Sequence, residues 1–134
     1  MGKEEILILG AGVGGLVASN LLKDKLGDSA RVTVIDRKTH FQFPPSYPWL
    51  VLGTRKPEQV QRSLNALRRK GIKVVIDEIA SIDVGGKSVE TAKDRFPYDY
   101  MVIALGADLA PEAIPGFAGH THHIYDLESA LRFR

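Results

Sequence analysis

Ile6-Leu7-Ile8-Leu9-Gly10-Ala11-Gly12-Val13-Gly14-Gly15, answered further on by Val32-Thr33-Val34-Ile35-Asp36, is the stretch on which the fold turns. Four apolar residues in a row read as a buried strand, and the glycines that follow read as a turn opening a helix near Val13. Gly10 lets the chain turn tightly out of the strand, Gly12 removes a side chain where a pyrophosphate must touch the backbone, and Gly15 lets helix and strand approach closely. The helix then aims its free N–H groups and the positive end of its dipole at that anion. Asp36 stands 21 positions after Gly15, where such a unit puts the carboxylate that hydrogen-bonds ribose hydroxyls. A Gly-x-Gly-x-x-Gly string alone carries little weight. Framed by strand, helix, second strand and terminal acid, it specifies a nucleotide-binding unit.

The 134 residues suffice for one compact domain, expected to span 1–134. A hydrophobic share of 44% and a charged share of 25% belong to an ordinary soluble protein. No apolar run approaches the roughly 18 residues of a membrane span. The start, Met1-Gly2-Lys3-Glu4-Glu5, lacks a signal peptide's apolar region, so a cytoplasmic location is expected. A formal charge of +2 argues against nucleic acid as a partner. With no cysteine in the chain, disulfides, zinc-thiolate sites and thiol redox chemistry are excluded from these residues.

Further along, His40-Phe41-Gln42-Phe43-Pro44-Pro45-Ser46-Tyr47-Pro48-Trp49 reads as a proline- and aromatic-rich loop whose rings must be covered by something. Pro57 to Lys70 reads as a helix, with Val60, Leu64 and Leu67 as its apolar face and Gly71 at its end. Its basic residues, with Arg55 and Lys56, form either a solvated face or an attraction to an anionic surface. Ile72 to Ile76 reads as a third strand. Glu78 to Arg95 reads as a β-hairpin turning at Gly85-Gly86 and projecting from the sheet. Tyr100 to Leu105, apolar nearly throughout, reads as a parallel strand covered on both faces. Asp126 is placed to cap a last helix, Leu127 to Arg134, which stops without a C-capping residue and so looks cut before a further element. The fold class is therefore α/β: a Rossmann-like parallel sheet with a β-hairpin insertion, a partial dinucleotide-binding domain.

Other candidate chemistry is thin. His120, His122 and His123 lie close together, but without a carboxylate at ligand spacing they make no metal site. His40 is either a proton relay or a structural hydrogen-bonder. Asp77, Glu78 and Asp83 fall on a hairpin read as facing solvent. No nucleophile and base pair stands out, and no catalytic residue is assigned.

The glycine turn with Asp36, the loop Phe41-Gln42-Phe43-Pro44-Pro45-Ser46-Tyr47-Pro48-Trp49 and the strand Pro97-Tyr98-Asp99-Tyr100-Met101-Val102-Ile103-Ala104-Leu105-Gly106 together resemble the N-terminal part of sulfide:quinone oxidoreductases. These are two-dinucleotide-binding flavoproteins, akin to flavocytochrome c sulfide dehydrogenase and type II NADH dehydrogenase. The resemblance implies that FAD is the cofactor and that Gly10, Gly12, Val13, Gly14 and Gly15 receive its pyrophosphate, with Asp36 on the adenosine ribose. It implies that Arg37 either stacks beside the adenine or is solvated, and that the backbone near Glu78 and Ile79 meets the adenine. It further implies that Ala104 and Gly106 bring the chain close to FAD, and that the loop holding Pro45 and Ser46 lies against the isoalloxazine.

Family members are several-fold longer, carry cysteines for sulfur chemistry, and attach to membranes through C-terminal helices, none of which this chain has. Membrane contact is thus expected only if those segments are supplied. Three functions follow: the FAD-binding portion of a sulfide:quinone-type flavoprotein, not self-sufficient for turnover; a non-catalytic FAD, NAD or ADP module acting with a partner; or part of an NADH-oxidising relative. A homo-oligomer or a complementary C-terminal polypeptide is the expected protein partner.

Overall fold

The computed structural model describes residues 2–134, and the chain packs as two compact units: one runs up to Phe41 and includes Ser63–Gly106, the other joins Gln42–Arg62 to Ala107–Arg134.

The first unit is built on a four-stranded parallel sheet. Its strands are β1 (Glu4–Leu9), β2 (Ala30–Asp36), β5 (Lys73–Ile76) and β9 (Tyr100–Ile103), in the order β5-β2-β1-β9. Register runs from Glu4 opposite Ala30 to Leu9 opposite Ile35, with Asp36 opposite Ile76. Alternation divides the strands between two cores. Ile6, Ile8, Val32, Val34 and Val74 face helix α1 (Val13–Leu26), whose Leu16, Ala18 and Leu22 pack on them together with Leu64 and Leu67. Leu7, Leu9 and Ile35 point the other way, onto Val89, Tyr98, Ile79, Ile82 and Phe96. Ile8, Leu9, Val34 and Ile35 are wholly buried, each contributing roughly 1.5–3 kcal/mol by leaving water.

Apart from Tyr98, which directly follows β8, the partners on that second face belong to a three-stranded antiparallel sheet of β6 (Ile79–Asp83), β7 (Ser88–Thr91) and β8 (Arg95–Pro97). The expected hairpin is present, with Ile82 opposite Val89 and Asp83 opposite Ser88. It does not project: its apolar side closes one face of the parallel sheet. Asp83 stabilises its turn by accepting from the Gly86 amide at 2.7 Å.

Two further expectations are corrected. Pro57 to Lys70 is not one helix but a 3-10 turn (Pro57–Gln59), strand β4 (Gln61–Ser63) and a 3-10 segment (Leu64–Lys70). The helical spacing misleads because Val60 belongs to the second unit's core whereas Leu64 and Leu67 belong to the first unit's. Ser63 starts the last segment by accepting from the Asn65 amide, and Gly71 ends it in the left-handed conformation. The basic residues therefore share no single face: Arg68 donates to the Val74 carbonyl, Lys70 to Asn20, and Arg55 sits over Trp49. The second correction concerns β9, which is an edge strand with Tyr100 and Ile103 each 58% exposed, not a strand covered on both faces.

β4 pairs with β3 (His40–Gln42) in a separate two-stranded ribbon. In the second unit, Tyr47, Leu50, Val60 and Ala130 form a small core. The proline-rich stretch is more ordered than a loop: Pro44–Ser46 is a 3-10 turn and Tyr47–Val51 a short helix, α2. Pro48 is tolerated because it lies in the first turn, where its missing N–H has no intrahelical partner. α3 (Phe117–His120) precedes α4 (Leu127–Arg132), which Asp126 caps as expected by accepting from the Ser129 amide at 2.7 Å. That bond, more than any other influence, holds the Asp126 carboxyl below its ordinary range. Burial, and next the nearby Asp126 charge, push the Tyr47 phenol up.

Candidate nucleotide-binding site

The glycines of the turn fall into two groups. A Cβ on Gly10 would run into the Ala104 carbonyl oxygen, and Gly10 has φ +95°, so an L side chain is excluded twice. A Cβ on Gly15 would run into the Gly10 carbonyl oxygen. These two are glycine because the protein's own backbone passes there. Gly12 is different. It has an ordinary extended backbone, φ −71° and ψ −168°, and a Cβ built on it meets nothing within 4 Å. Around Gly14 the sole neighbour within 4 Å is the Ala104 methyl, at 3.7 Å. Neither fold nor packing asks for glycine at Gly12 or Gly14, and the room above them is open.

That room lies at the amino end of α1, where Gly12 is the cap residue and no side chain caps the helix. The first N–H groups of a helix have no intrahelical partners and carry about half a positive charge. No acidic residue in the first turn neutralises it. Gly12, Val13 and Gly14 are exposed and Gly15 is buried, as their separate roles require.

The end of β2 secures the turn from the side. The Gly10 amide donates to the Ile35 carbonyl at 2.8 Å. The amide of Ala11, itself buried, donates to Asp36 Oδ2 at 2.6 Å, and the Lys38 amide donates to Oδ1 at 2.7 Å. A carboxylate has about four lone-pair positions, so Asp36 keeps capacity for two hydroxyls. The Ala11 contact was not foreseeable from the motif, because it joins residues 25 apart through a side chain. Arg37 is exposed and enters none of the ion pairs among the described residues.

β9 delivers Ala104 to the other flank, its amide bonded to the Leu9 carbonyl at 2.8 Å. Gly106, with φ +78°, turns the chain away where an L residue is disfavoured. Ile79 begins β6 just past the end of β5. The first unit thus gathers Gly10, Gly12, Val13, Gly14, Gly15, Asp36, Arg37, Ile79, Ala104 and Gly106 along the carboxyl ends of its parallel strands, where this architecture binds ligands. Pro45 and Ser46 lie in the second unit. Pro45 is exposed, whereas Ser46 is buried and donates its hydroxyl to the Phe43 carbonyl at 2.6 Å, closing its own turn.

A cavity of about 400 Å³ opens at the amino ends of the strands, lined by Lys3, Glu5, Lys23, Arg31, Thr33 and Lys73 among others. It includes no residue of the glycine turn, and its two carboxylates are already paired, Glu5 with Arg31 and Asp28 with Lys23. The glycine turn is the stronger site on chemical grounds, although it is an open surface. Among the described residues no three His, Asp, Glu or Cys side chains gather as a metal site, and no helix is long and apolar enough to cross a membrane.

Comparison with known proteins identifies the family. Residues 4–134 match the family model described as pyridine nucleotide-disulphide oxidoreductase. The chain belongs to that family. Within it, the chain is 32% identical over 108 residues to the sulfide-quinone reductase of Aquifex aeolicus, covering 79% of this chain and 25% of that protein. It is 29% identical over 136 residues to the type II NADH:quinone oxidoreductase of Staphylococcus haemolyticus, covering 97% of this chain and 33% of the relative. Among solved structures, the sulfide:quinone oxidoreductase of Aquifex aeolicus aligns over 97% of this chain and 30% of its own, with a TM-score of 0.90 at 30% identity. The resemblance to the sulfide:quinone branch and the Rossmann-like parallel sheet are therefore borne out. This pyridine nucleotide-disulphide oxidoreductase chain spans about a quarter to a third of the length of these relatives.

Proposed function

We propose that this chain forms the part of an FAD-binding domain that holds the ADP half of the cofactor, within a flavoprotein oxidoreductase of the sulfide:quinone and type II NADH:quinone branch. The observation that carries this reading is Gly12. It is a glycine with ordinary dihedrals and no protein neighbour, at the uncapped amino end of a helix, with the Asp36 carboxylate beside the same turn.

The backbone amides of Val13, Gly14 and Gly15 would receive the pyrophosphate, and Asp36 the adenosine ribose. Bound FAD would supply two-electron redox chemistry. The residues present bind and orient it. Having no cysteine, these 134 residues provide no thiol for sulfur chemistry, so turnover rests on segments of the kind that make up the remainder of the relatives' length. Pro45 and Ser46 are assigned to the flavin end by family resemblance.

Two apolar features mark where further chain would pack. Among the described residues β9 leaves one edge of the parallel sheet unpaired, and Val13, Val17 and Leu21, one helical face of α1, are each more than half exposed. A returning segment or a second polypeptide is the expected cover.

Titration calorimetry with ADP and FAD tests the reading. Binding of both is expected, with ADP supplying most of the affinity. Absence of any ADP binding at millimolar concentration would overturn it.

A further inference from the structure

At the end of β5 a single carboxylate fastens the chain in several directions. Asp77 Oδ1 accepts from the Glu78 amide at 2.9 Å and Oδ2 from the Lys93 amide at 3.1 Å, with the Thr91 hydroxyl beside the same group. The Asp77 amide donates to the Asp36 carbonyl at 3.0 Å, and the Glu78 carbonyl accepts from the Ala92 amide at 3.1 Å. Residues 77–79 therefore form a strap tied on one side to the main chain of Asp36 and on the other to the loop following β7. The Thr91 hydroxyl first, and the two amides and Lys93 with it, hold the Asp77 carboxyl below its ordinary range.

The strand order says what this strap faces. A nucleotide with its pyrophosphate at the end of β1 and its ribose at Asp36, the end of β2, carries its base one strand further, over the end of β5, about 4.8 Å on. The strap lies there. Ile79 is opposite Thr91 at a non-hydrogen-bonded position, because it is the Ala92 amide that reaches the Glu78 carbonyl, so the Ile79 N–H and C=O are turned away from β7 on the edge strand of that sheet. The register also slips between Ile79 and Ser81, a bulge of the kind that re-aims backbone groups.

We infer that Asp77 is a positioning residue for base selection: it holds the strap so that main-chain donor and acceptor groups around Ile79 read the edge of an adenine. The inference rests on the nucleotide reading above. Fixed main-chain groups discriminate because adenine and uracil invert donor and acceptor along the edge, and a mismatched base leaves those groups unpaired.

ADP and UDP share pyrophosphate and ribose and differ in the base, so calorimetry with both isolates the strap. The wild-type chain is expected to prefer ADP. Asp77→Ala should weaken ADP about tenfold while UDP changes by less than about twofold, so that the preference collapses. Asp77→Asn, which keeps one acceptor, and Thr91→Val, which removes the neighbouring hydroxyl, should fall between; they carry the test if the alanine variant does not fold, as judged by circular dichroism. Equal loss of ADP and UDP, an unchanged preference in the variants, or no preference in the wild type would overturn the inference. Failure of the wild type to bind either nucleotide would instead sink the nucleotide reading itself.

Discussion

The sharpest test of the site sets three alanine substitutions in one turn against each other. Gly15→Ala places a methyl against the Gly10 carbonyl, and Gly10→Ala places one against the Ala104 carbonyl at φ +95°. In both cases the obstacle is backbone, which cannot rotate aside. Overpacking ordinarily costs about 1–3 kcal/mol, and these contacts belong at the upper end. At roughly 3–5 °C per kcal/mol for a chain of this size, a loss near 10 °C is expected.

Gly12→Ala meets open space at dihedrals any residue adopts. It gains about 0.4–1 kcal/mol by restricting the unfolded chain and loses a comparable amount because alanine is a poorer helix cap than glycine, so stability should stay within about 1 kcal/mol of wild type. Its methyl would nevertheless fill the space assigned to the pyrophosphate, weakening ADP by tens- to a hundred-fold if the overpacking cost is about 2–3 kcal/mol. Urea denaturation and ADP calorimetry on the same samples check both halves. The reasoning is refuted if Gly12→Ala is as destabilised as Gly15→Ala, or if it binds ADP like the wild type.

Asp36→Ala strands the buried Ala11 amide and should cost about 1–3 kcal/mol in urea even without nucleotide, whereas a carboxylate serving ribose alone would leave apo stability unchanged. Asp126→Ala should cost about 0.5–2 kcal/mol through loss of the α4 cap. Because the folded Asp126 carboxyl lies below its unfolded value, its contribution is present above about pH 4 and fades as pH falls through the lowered value; a stability series from pH 6 to 2 should show a steeper decline in the wild type than in Asp126→Ala, which keeps only the decline due to other lowered carboxyls such as Asp77. Leu50, fully buried against Tyr47 and Ala130, should cost about 2–5 kcal/mol when cut to alanine. The unpaired edge of β9 should drive concentration-dependent self-association by analytical ultracentrifugation, and Ile103→Lys, charging that edge, should reduce it.

Local pattern sufficed for much of this. β1, β2, β5 and the β6–β7 hairpin could be read because their alternation and their glycine or acid punctuation lie within a few residues. Contacts made across the chain could not. The apolar composition of β9 records that something covers it, without recording what, and so an edge looked like a centre. The spacing of Val60, Leu64 and Leu67 fits a helix because pattern reading assumes one destination for all three, whereas they serve two cores. In the site, the glycines and Asp36 were legible as residue types. The Asp36 to Ala11 bond and the knot around Asp77 are hidden from local pattern, in which Asp77 reads only as a solvent-facing acid. An aspartate directly after a buried strand and before a hairpin was the available signal, because its short side chain can bond the amide that follows.

At the glycine turn, residues 10, 15 and 104 meet main chain against main chain. The shape of this cradle is therefore dictated by peptide units common to every sequence, with two obligatory glycines and no dependence on the identity of bulky neighbours. Apart from Asp36, which ties the Ala11 amide, the surrounding side chains can be exchanged without altering the main-chain contacts that shape the cradle.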